Sequence, residues 1–148
     1  MAVLHLVCGL PGSGKTTFAE RLAHEARALW LSPDEWMSRI VGDGYDEVRR
    51  EQVERIQWEL AARLLALGVS VVLDNGFWFR DERERLRSRA ESLGAEVRLH
   101  FLDVPLDELK RRVAARNRNL PEHGFSISAE DLERWSALFE PPSEEELR

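Results

Sequence analysis

One stretch of eight residues, GLPGSGKT at positions 9–16, constrains this chain more than any other part of its sequence. It matches the pattern G-x-x-x-x-G-K-[ST] at every fixed position, and it lies between an apolar run over residues 1–8 and apolar residues at helical spacing. This order predicts a strand, a glycine-rich loop and a helix. Glycines let consecutive backbone N–H groups face one phosphate, and the helix N-terminus adds partial positive charge. The stretch therefore predicts a phosphate-binding loop for a nucleotide.

The side chains of this loop have separate chemical roles. Lys15 is a flexible point charge suited to the β- and γ-phosphates, and the hydroxyl of Thr16 is suited to Mg²⁺. We therefore expect a nucleoside triphosphate with Mg²⁺, and Thr16 as the metal ligand. The predicted nucleotide contacts are Gly9, Gly12, Ser13, Gly14, Lys15, Thr16 and Thr17.

Length and composition limit the remaining possibilities. The 148 residues suit one domain, 1–148, with a single core. No apolar stretch approaches the length of a membrane span and no charged leader precedes the first strand, so we expect a cytoplasmic protein without membrane contact. The single cysteine, Cys8, excludes an internal disulfide.

The charge balance bears on the partner. The formal net charge is −6, whereas an extended nucleic-acid surface usually needs a basic excess. A local basic pocket is still able to hold the end of a strand. The balance favours a small-molecule partner.

Short apolar runs alternate with helical patterns along the chain. The alternation predicts an α/β fold, a doubly wound parallel sheet with right-handed crossovers. The further strands are predicted at residues 29–31, 69–73 and 96–102, and the main helices at 47–66, 80–93, 105–116 and from 128 onward.

Ligands of an open α/β sheet bind at the carboxyl ends of its strands, so the residues after each strand are candidates for the site. Asp34 follows the predicted strand at 29–31. A hydroxyl that attacks a γ-phosphate needs a carboxylate to orient it and accept its proton. The alternative is that Asp34 only complements a helix dipole, although Glu35 already serves there with Ser32 in a capping box.

Three candidates follow the strand at 69–73. Asp74 is a magnesium-side acid, a ligand of the acceptor or a turn residue, since Asp-Asn-Gly is a strong turn sequence. Trp78 is a candidate wall of an acceptor pocket, or it packs under the next helix. Arg80 begins that helix at the active edge of the sheet, and we count it with the substrate-binding residues.

Basic residues near the C-terminal third form another candidate group. Arg112 and Arg116 are four residues apart and share one helix face. Arginine forks stabilise the charge that phosphoryl transfer spreads over oxygens, and a loop with Pro and Gly follows. We predict a lid over residues 110–127, although a solvated helix surface is the ordinary fate of such a run.

Taken together, these segments resemble the small P-loop kinases grouped with zeta toxins, polynucleotide 5′-kinases, chloramphenicol phosphotransferase and gluconate kinase. The matching segments are GLPGSGKTT, SPDEW, VVLDNG and LKRRVAARN, and the ending HGFSISAEDLERWSALFEPPSEEE is similar to that of gluconokinases. The resemblance implies a nucleoside-kinase-like P-loop NTPase with strand order 2-3-1-4, and MgATP as donor to a hydroxyl. It also implies that Asp34 activates the acceptor, while Arg112 and Arg116 hold the ATP phosphates.

The chain departs from that family in two places. Polynucleotide kinases place an arginine three residues after the aspartate, and this chain has Met37 there, with Arg39 as the nearest substitute. P-loop kinases usually have a fifth strand, which is absent from this sequence, so the covering of the adenine stays open. A four-stranded sheet or completion from outside the sequence are the alternatives.

Three functions are therefore considered. The leading one is an ATP-dependent kinase that phosphorylates a hydroxyl of a small molecule: a sugar, a nucleoside or an antibiotic-like metabolite. The second is a 5′-hydroxyl polynucleotide kinase, and the third is an ATP-binding regulatory module without a phosphoacceptor. The identity of the acceptor and the choice between monomer and homodimer are not determined by the sequence.

Overall fold

A computed structural model of the chain describes residues 1–120 and 125–148. The described elements follow one another as strands and helices in alternation, as the sequence predicts. They are β1 (Val3–Cys8), α1 (Lys15–Ala26), β2 (Leu29–Leu31), α2 (Pro33–Trp36), a π-helical turn (Met37–Val41), α3 (Glu47–Ala66), β3 (Val71–Gly76), α4 (Arg80–Ser92), β4 (Glu96–Phe101), α5 (Leu106–Arg118) and α6 (Ala129–Leu138).

The four strands form one parallel sheet in the order β2-β3-β1-β4. This confirms the predicted α/β class and the predicted strand order. Both neighbours of β1 pair with it in parallel, so the strand that leads into the phosphate loop lies in the interior of the sheet. The carboxyl ends of all four strands consequently meet at the same edge as that loop.

Helices cover both faces of this sheet. On one face, α3 and α4 pack on alternate residues of β1 and β3, with Leu4, Leu6 and Leu73 fully buried. On the other face, α1 packs on Val7 and Val72. A third apolar cluster joins the phosphate loop to α5 and α6. Its buried members are Leu10, Leu109, Val113, Ile127 and Leu132.

Polar side chains fix where three helices begin. The hydroxyl of Ser32 accepts a hydrogen bond from the N–H of Glu35 (3.3 Å), which confirms the predicted cap of α2. Asp46 caps α3 in the same manner, and Ser128 caps α6. The cap at Ser32 fixes the direction of the chain where β2 leads to Asp34.

The end of β3 differs from the prediction. The strand continues through Gly76, so the predicted end at residue 73 is wrong, and Asp74 lies within β3 rather than in a turn, which was one of its three alternatives. Parallel pairing to β1, with Cys8 opposite Gly76, extends the strand past the point where the apolar run ends. Helix α5 also extends two residues beyond the predicted end, to Arg118.

No fifth strand is present among residues 1–120 and 125–148. The segment after α6 packs beside the sheet instead, where Phe139 contacts the ring of Phe101 from β4 at 5.8 Å between centroids.

The predicted lid over 110–127 is described except for 121–124, which lie outside the described residues. None of the helices in the described part is long and apolar enough to cross a bilayer.

Candidate active site

The phosphate loop lies between β1 and α1, as its sequence predicts. Gly12 and Gly14 have φ angles of 86° and 93°, in the left-handed region that side chains with a Cβ rarely adopt. A Cβ on Gly12 would lie 2.9 Å from Cγ2 of Val113, which is in α5. Glycine at position 12 therefore provides both the loop conformation and the close approach of α5.

Two polar groups of this loop fit a phosphate ligand. The hydroxyl oxygen of Ser13 is buried and has no hydrogen-bond partner in the described part of the chain. The ammonium of Lys15 donates to the carbonyl of Gly9 at 3.2 Å. Buried polar atoms are nearly always paired, so an unpaired hydroxyl inside the loop fits a ligand oxygen. The loop thus has the backbone, hydroxyl and cation that a nucleotide phosphate requires.

Two carboxylates act on the charge of Lys15. Burial lowers the pKa of Lys15, and Asp34 and then Asp74 oppose this effect. The structure therefore brings Lys15, Asp34 and Asp74 together at the loop, as expected of residues at the carboxyl ends of β1, β2 and β3. The cluster combines a phosphate-binding cation with two candidate acids.

Asp74 is buried within β3, where its Oδ2 accepts a hydrogen bond from the indole N–H of Trp30 at 3.0 Å. Burial raises the pKa of Asp74 to about 6, although the bond from Trp30 and the charge of Lys15 lower it. A nearby divalent cation would favour the ionised form of this carboxyl. Asp74 and the exposed hydroxyl of Thr16 are the residues that would hold Mg²⁺ beside the phosphates.

Asp34 is paired with an arginine that sequence reasoning missed. Nη2 of Arg50 lies 2.7 Å from Oδ1 of Asp34 and also donates to the carbonyl of Gly44 at 3.3 Å. Arg50 lies in the first turn of α3, sixteen residues after Asp34. The surrounding sequence, Arg49-Arg50-Glu51, is typical of a solvated helix surface. The contact between Arg50 and Asp34 therefore could not be predicted from the residues around Arg50.

Further acidic residues surround this pair. Burial raises the pKa of Glu54 to about 7, and the charge of Glu82 contributes to the rise, whereas Arg50 lowers it and Asp34 raises it. Burial likewise raises the pKa of Glu82, which lies in the first turn of α4. Glu54 of α3 thus lies close enough to Asp34 and to Glu82 of α4 for both charges to act on its own carboxyl.

The two lid arginines have different surroundings. Nη1 of Arg112 lies 3.4 Å from the carbonyl of Gly12, while its Nε pairs with Glu108 at 2.9 Å. Arg116 is half-buried one turn later, and its charge lowers the pKa of Lys15. Both arginines therefore lie at the phosphate loop, on the face of α5 that packs against Gly12. Their roles toward ATP stay a prediction.

Trp78 and Arg80 are held by contacts within the chain. The indole N–H of Trp78 donates to the carbonyl of Gly9 at 3.3 Å, and its ring packs on Trp135 at 5.6 Å between centroids. Nε of Arg80 pairs with Glu84 at 2.7 Å on the exposed surface of α4. Trp78 therefore contacts the phosphate loop, whereas the structure shows no contact between Arg80 and that loop. Neither acceptor-binding role is tested by these contacts.

Polynucleotide kinases have an arginine three residues after the aspartate, where this chain has Met37, and Arg39 is the nearest possible substitute. Met37 is fully buried, and Arg39 pairs with Glu35 at 3.4 Å with its own side chain 66% exposed. The position three residues after Asp34 is thus part of the core and presents no cation.

Comparison with known proteins agrees with this geometry. The model of the AAA domain family AAA_33 matches residues 4–142. The chain belongs to this family. It is 30% identical over 147 residues to a protein of Aeropyrum pernix named "Probable adenylyl-sulfate kinase", a match that covers 94% of this chain and 78% of that protein. The predicted membership in the small P-loop kinases, with ATP binding and phosphotransferase chemistry, is confirmed.

Solved structures of similar fold carry different names. A sugar kinase from Janibacter sp. superposes with a TM-score of 0.70 at 23% identity, covering 99% of this chain and 82% of its own. The Pnkp1/Rnl/Hen1 RNA repair complex contains a chain that matches with a TM-score of 0.78 at 19% identity, covering 93% and 43%. At these identities the similarity shows the fold alone.

Proposed function

We propose that this protein transfers the γ-phosphate of ATP to a hydroxyl group of a small molecule, and that Asp34 is the base that activates this hydroxyl. The observation that carries the proposal is the position of Asp34. Its carboxylate lies at the carboxyl end of β2, close enough to Lys15 to affect the pKa of that residue, and Arg50 holds it at 2.7 Å. A base for phosphoryl transfer needs this arrangement, within reach of the phosphate loop and fixed in direction.

The residues divide the reaction between them. Lys15, Arg112 and Arg116 bind and neutralise the phosphates, which MgATP supplies when it is bound. Asp34 orients the acceptor hydroxyl and accepts its proton as the acceptor oxygen forms a bond to the γ-phosphorus and ADP leaves. The α5 helix packs on the phosphate loop at Gly12, where Val113 leaves no room for a larger residue.

The charge around Asp34 supports a small hydroxylated acceptor over a strand end. The charge of Asp34 acts on both Glu54 and Asp74, and the cations whose charges act on these carboxylates are Lys15 and Arg50. Arg50 is already engaged by Asp34. A nucleic-acid end would place phosphates beside these acids, at an electrostatic cost that a neutral polyol does not have.

The proposal is tested by ATP consumption in the purified protein with Mg²⁺, alone and with a panel of acceptors. The panel contains sugars, nucleosides, aminoglycoside and phenicol antibiotics, adenylyl sulfate and a 5′-hydroxyl oligonucleotide. We expect stimulation by a sugar-like or nucleoside-like compound, with a mass gain of one phosphate. Stimulation by the oligonucleotide would establish the strand-end kinase instead. Tight ATP binding with no stimulated turnover across the panel would favour a regulatory module.

A further inference from the structure

The turn after β3 contains a strained residue close to the phosphate loop. Phe77 has a φ of 48°, which is rare for a bulky side chain, and its ring is almost completely buried. Its carbonyl accepts a hydrogen bond from Nη1 of Arg83 at 2.8 Å and lies 3.4 Å from Sγ of Cys8. Arg83 therefore fixes a backbone conformation that the chain does not favour by itself.

Arg83 is fixed in turn by the segment that follows α6. Its Nε and Nη2 donate to the two carboxylate oxygens of Glu146, at 2.8 and 3.3 Å. The two side chains are 3% and 9% exposed, so this is a buried ion pair. Glu146 is itself held by Ser143, whose N–H donates to Oε2 at 2.8 Å. The three hydrogen bonds that the Arg83 guanidinium donates thus go to Phe77 and Glu146.

The residue after Phe77 connects this pair to the phosphate loop. The indole N–H of Trp78 donates to the carbonyl of Gly9, which also accepts a hydrogen bond from the ammonium of Lys15. The carbonyl of Trp78 accepts from the N–H of Glu140 at 2.8 Å. A Cβ on Gly76 would lie 3.0 Å from the indole nitrogen, so the ring has little freedom on that side. Trp78 is therefore held on several sides where it contacts Gly9.

We propose that Glu146 is a positioning residue for the nucleotide site, which acts through Arg83 and the Phe77 backbone to hold Trp78 against Gly9. The carbonyl of Gly9 begins the phosphate loop, and the direction of this peptide decides where the following N–H groups face. The segment after α6 thereby takes part in nucleotide binding without touching the nucleotide. The inference concerns nucleotide affinity only, so it does not depend on which acceptor is phosphorylated.

Stability alone is a weaker account of this arrangement. A buried ion pair contributes little net stability compared with an apolar pair of similar volume, because both charges lose their water. The left-handed backbone of Phe77 also costs stability. Together, the ion pair and the strained turn fix the backbone at Phe77, and the next residue, Trp78, contacts Gly9.

The test compares Glu146→Gln with Glu145→Gln, an exposed neighbour of the same charge, in the full-length chain. The dissociation constant for the Mg²⁺ complex of the non-hydrolysable ATP analogue AMPPNP is measured by calorimetry, well below each variant's Tm. We expect Glu146→Gln to weaken binding about tenfold, the effect of losing one well-placed hydrogen bond, and Glu145→Gln to leave it unchanged. A lower Tm with unchanged affinity would overturn the proposal, since instability alone does not alter the affinity of folded molecules.

The route through Trp78 is tested by a double-mutant cycle. Trp78→Phe keeps an aromatic ring on Trp135 and removes the N–H that bonds to Gly9. In this background we expect Glu146→Gln to change AMPPNP affinity less than about twofold, because the connection to Gly9 is already lost. An undiminished effect would refute the route. If Glu146→Gln does not fold, Trp78→Phe alone decides, since unchanged affinity in that variant would contradict the proposal.

Discussion

Arg50 and Asp34 form an ion pair, 2.7 Å between Nη2 and Oδ1, that joins the first turn of α3 to the carboxyl end of β2. About half of the Asp34 side chain remains exposed, so the carboxylate is oriented and yet accessible to an acceptor. Arg50 also donates to the carbonyl of Gly44, in the connection that precedes α3. The candidate base is therefore held in direction by the first turn of α3.

Replacing Arg50 with alanine tests this orientation. We expect Arg50→Ala to lower kcat about tenfold to a hundredfold and to change the affinity for AMPPNP less than twofold, because it releases Asp34 without touching the phosphate loop. Steady-state kinetics with the acceptor found in the panel give the first value and calorimetry gives the second. Arg49→Ala is the control, because Arg49 is exposed and bonds only to Gln52 and Asp46 among the described residues. Equal losses in both variants would contradict the assigned role.

Asp34→Asn tests the base directly. The substitution keeps the size of the side chain and removes its capacity to accept a proton, so we expect phosphate transfer to fall by about 10²–10⁴-fold. AMPPNP affinity should stay nearly intact, since asparagine keeps the shape of the side chain and Asp34 makes no hydrogen bond to Lys15 among the described residues. Asp81→Asn is the matched control, an exposed aspartate in the first turn of α4. Parallel losses of transfer and of nucleotide affinity would refute the role of Asp34 as base.

Gly12→Ala tests the phosphate loop by sterics. Gly12 and Gly94 both have positive φ angles, 86° and 81°, so alanine at either site carries similar backbone strain of about 1–3 kcal/mol. Only at Gly12 does the new Cβ meet a neighbour, at 2.9 Å from Val113, and space is open around Gly94. We expect Gly12→Ala to abolish measurable AMPPNP binding and Gly94→Ala to lower only Tm. Normal binding by Gly12→Ala would contradict the placement of α5 against the loop.

Local signals explain how much of the site the sequence predicts. The phosphate loop is specified by residues that are adjacent in the chain, and Asp34 follows from one strand end and one helix cap. Both predictions therefore needed little knowledge of distant contacts. The predicted end of β3 is wrong because pairing with β1 carries Asp74, Asn75 and Gly76 into the strand, although their local propensity is for a turn.

The contacts that the sequence did not predict are those that join distant residues. Arg50 meets Asp34 across sixteen residues, and Arg83 meets Glu146 across 63. Both arginines belong to charged helices in which most neighbouring residues are exposed. Only the packing of α3 and α4 on the sheet determines which arginines are buried.

The half-buried carboxyl of Glu54 makes stability depend on pH. Burial, together with the nearby charge of Glu82, raises its pKa from 4.5 to about 7, despite Arg50. The folded chain therefore binds this proton more tightly than the unfolded chain. The resulting stabilisation is complete below about pH 4.5 and is lost as the pH rises through about 7. We expect it to be on the order of 1–3 kcal/mol in the free energy of unfolding.

Glu54→Gln should remove this dependence, because glutamine stays neutral at every pH. We expect Tm measured from pH 5 to 8 to fall less steeply in Glu54→Gln than in the unchanged protein, and the variant to be at least as stable at pH 8. Glu51→Gln is the control, since Glu51 lies on the same helix with its side chain 77% exposed and pairs only at the surface with Arg55. Its profile should follow that of the unchanged protein. Identical slopes in all three proteins would show that Glu54 is ionised in the folded state across this range, and hence that solvent reaches it between α3 and α4.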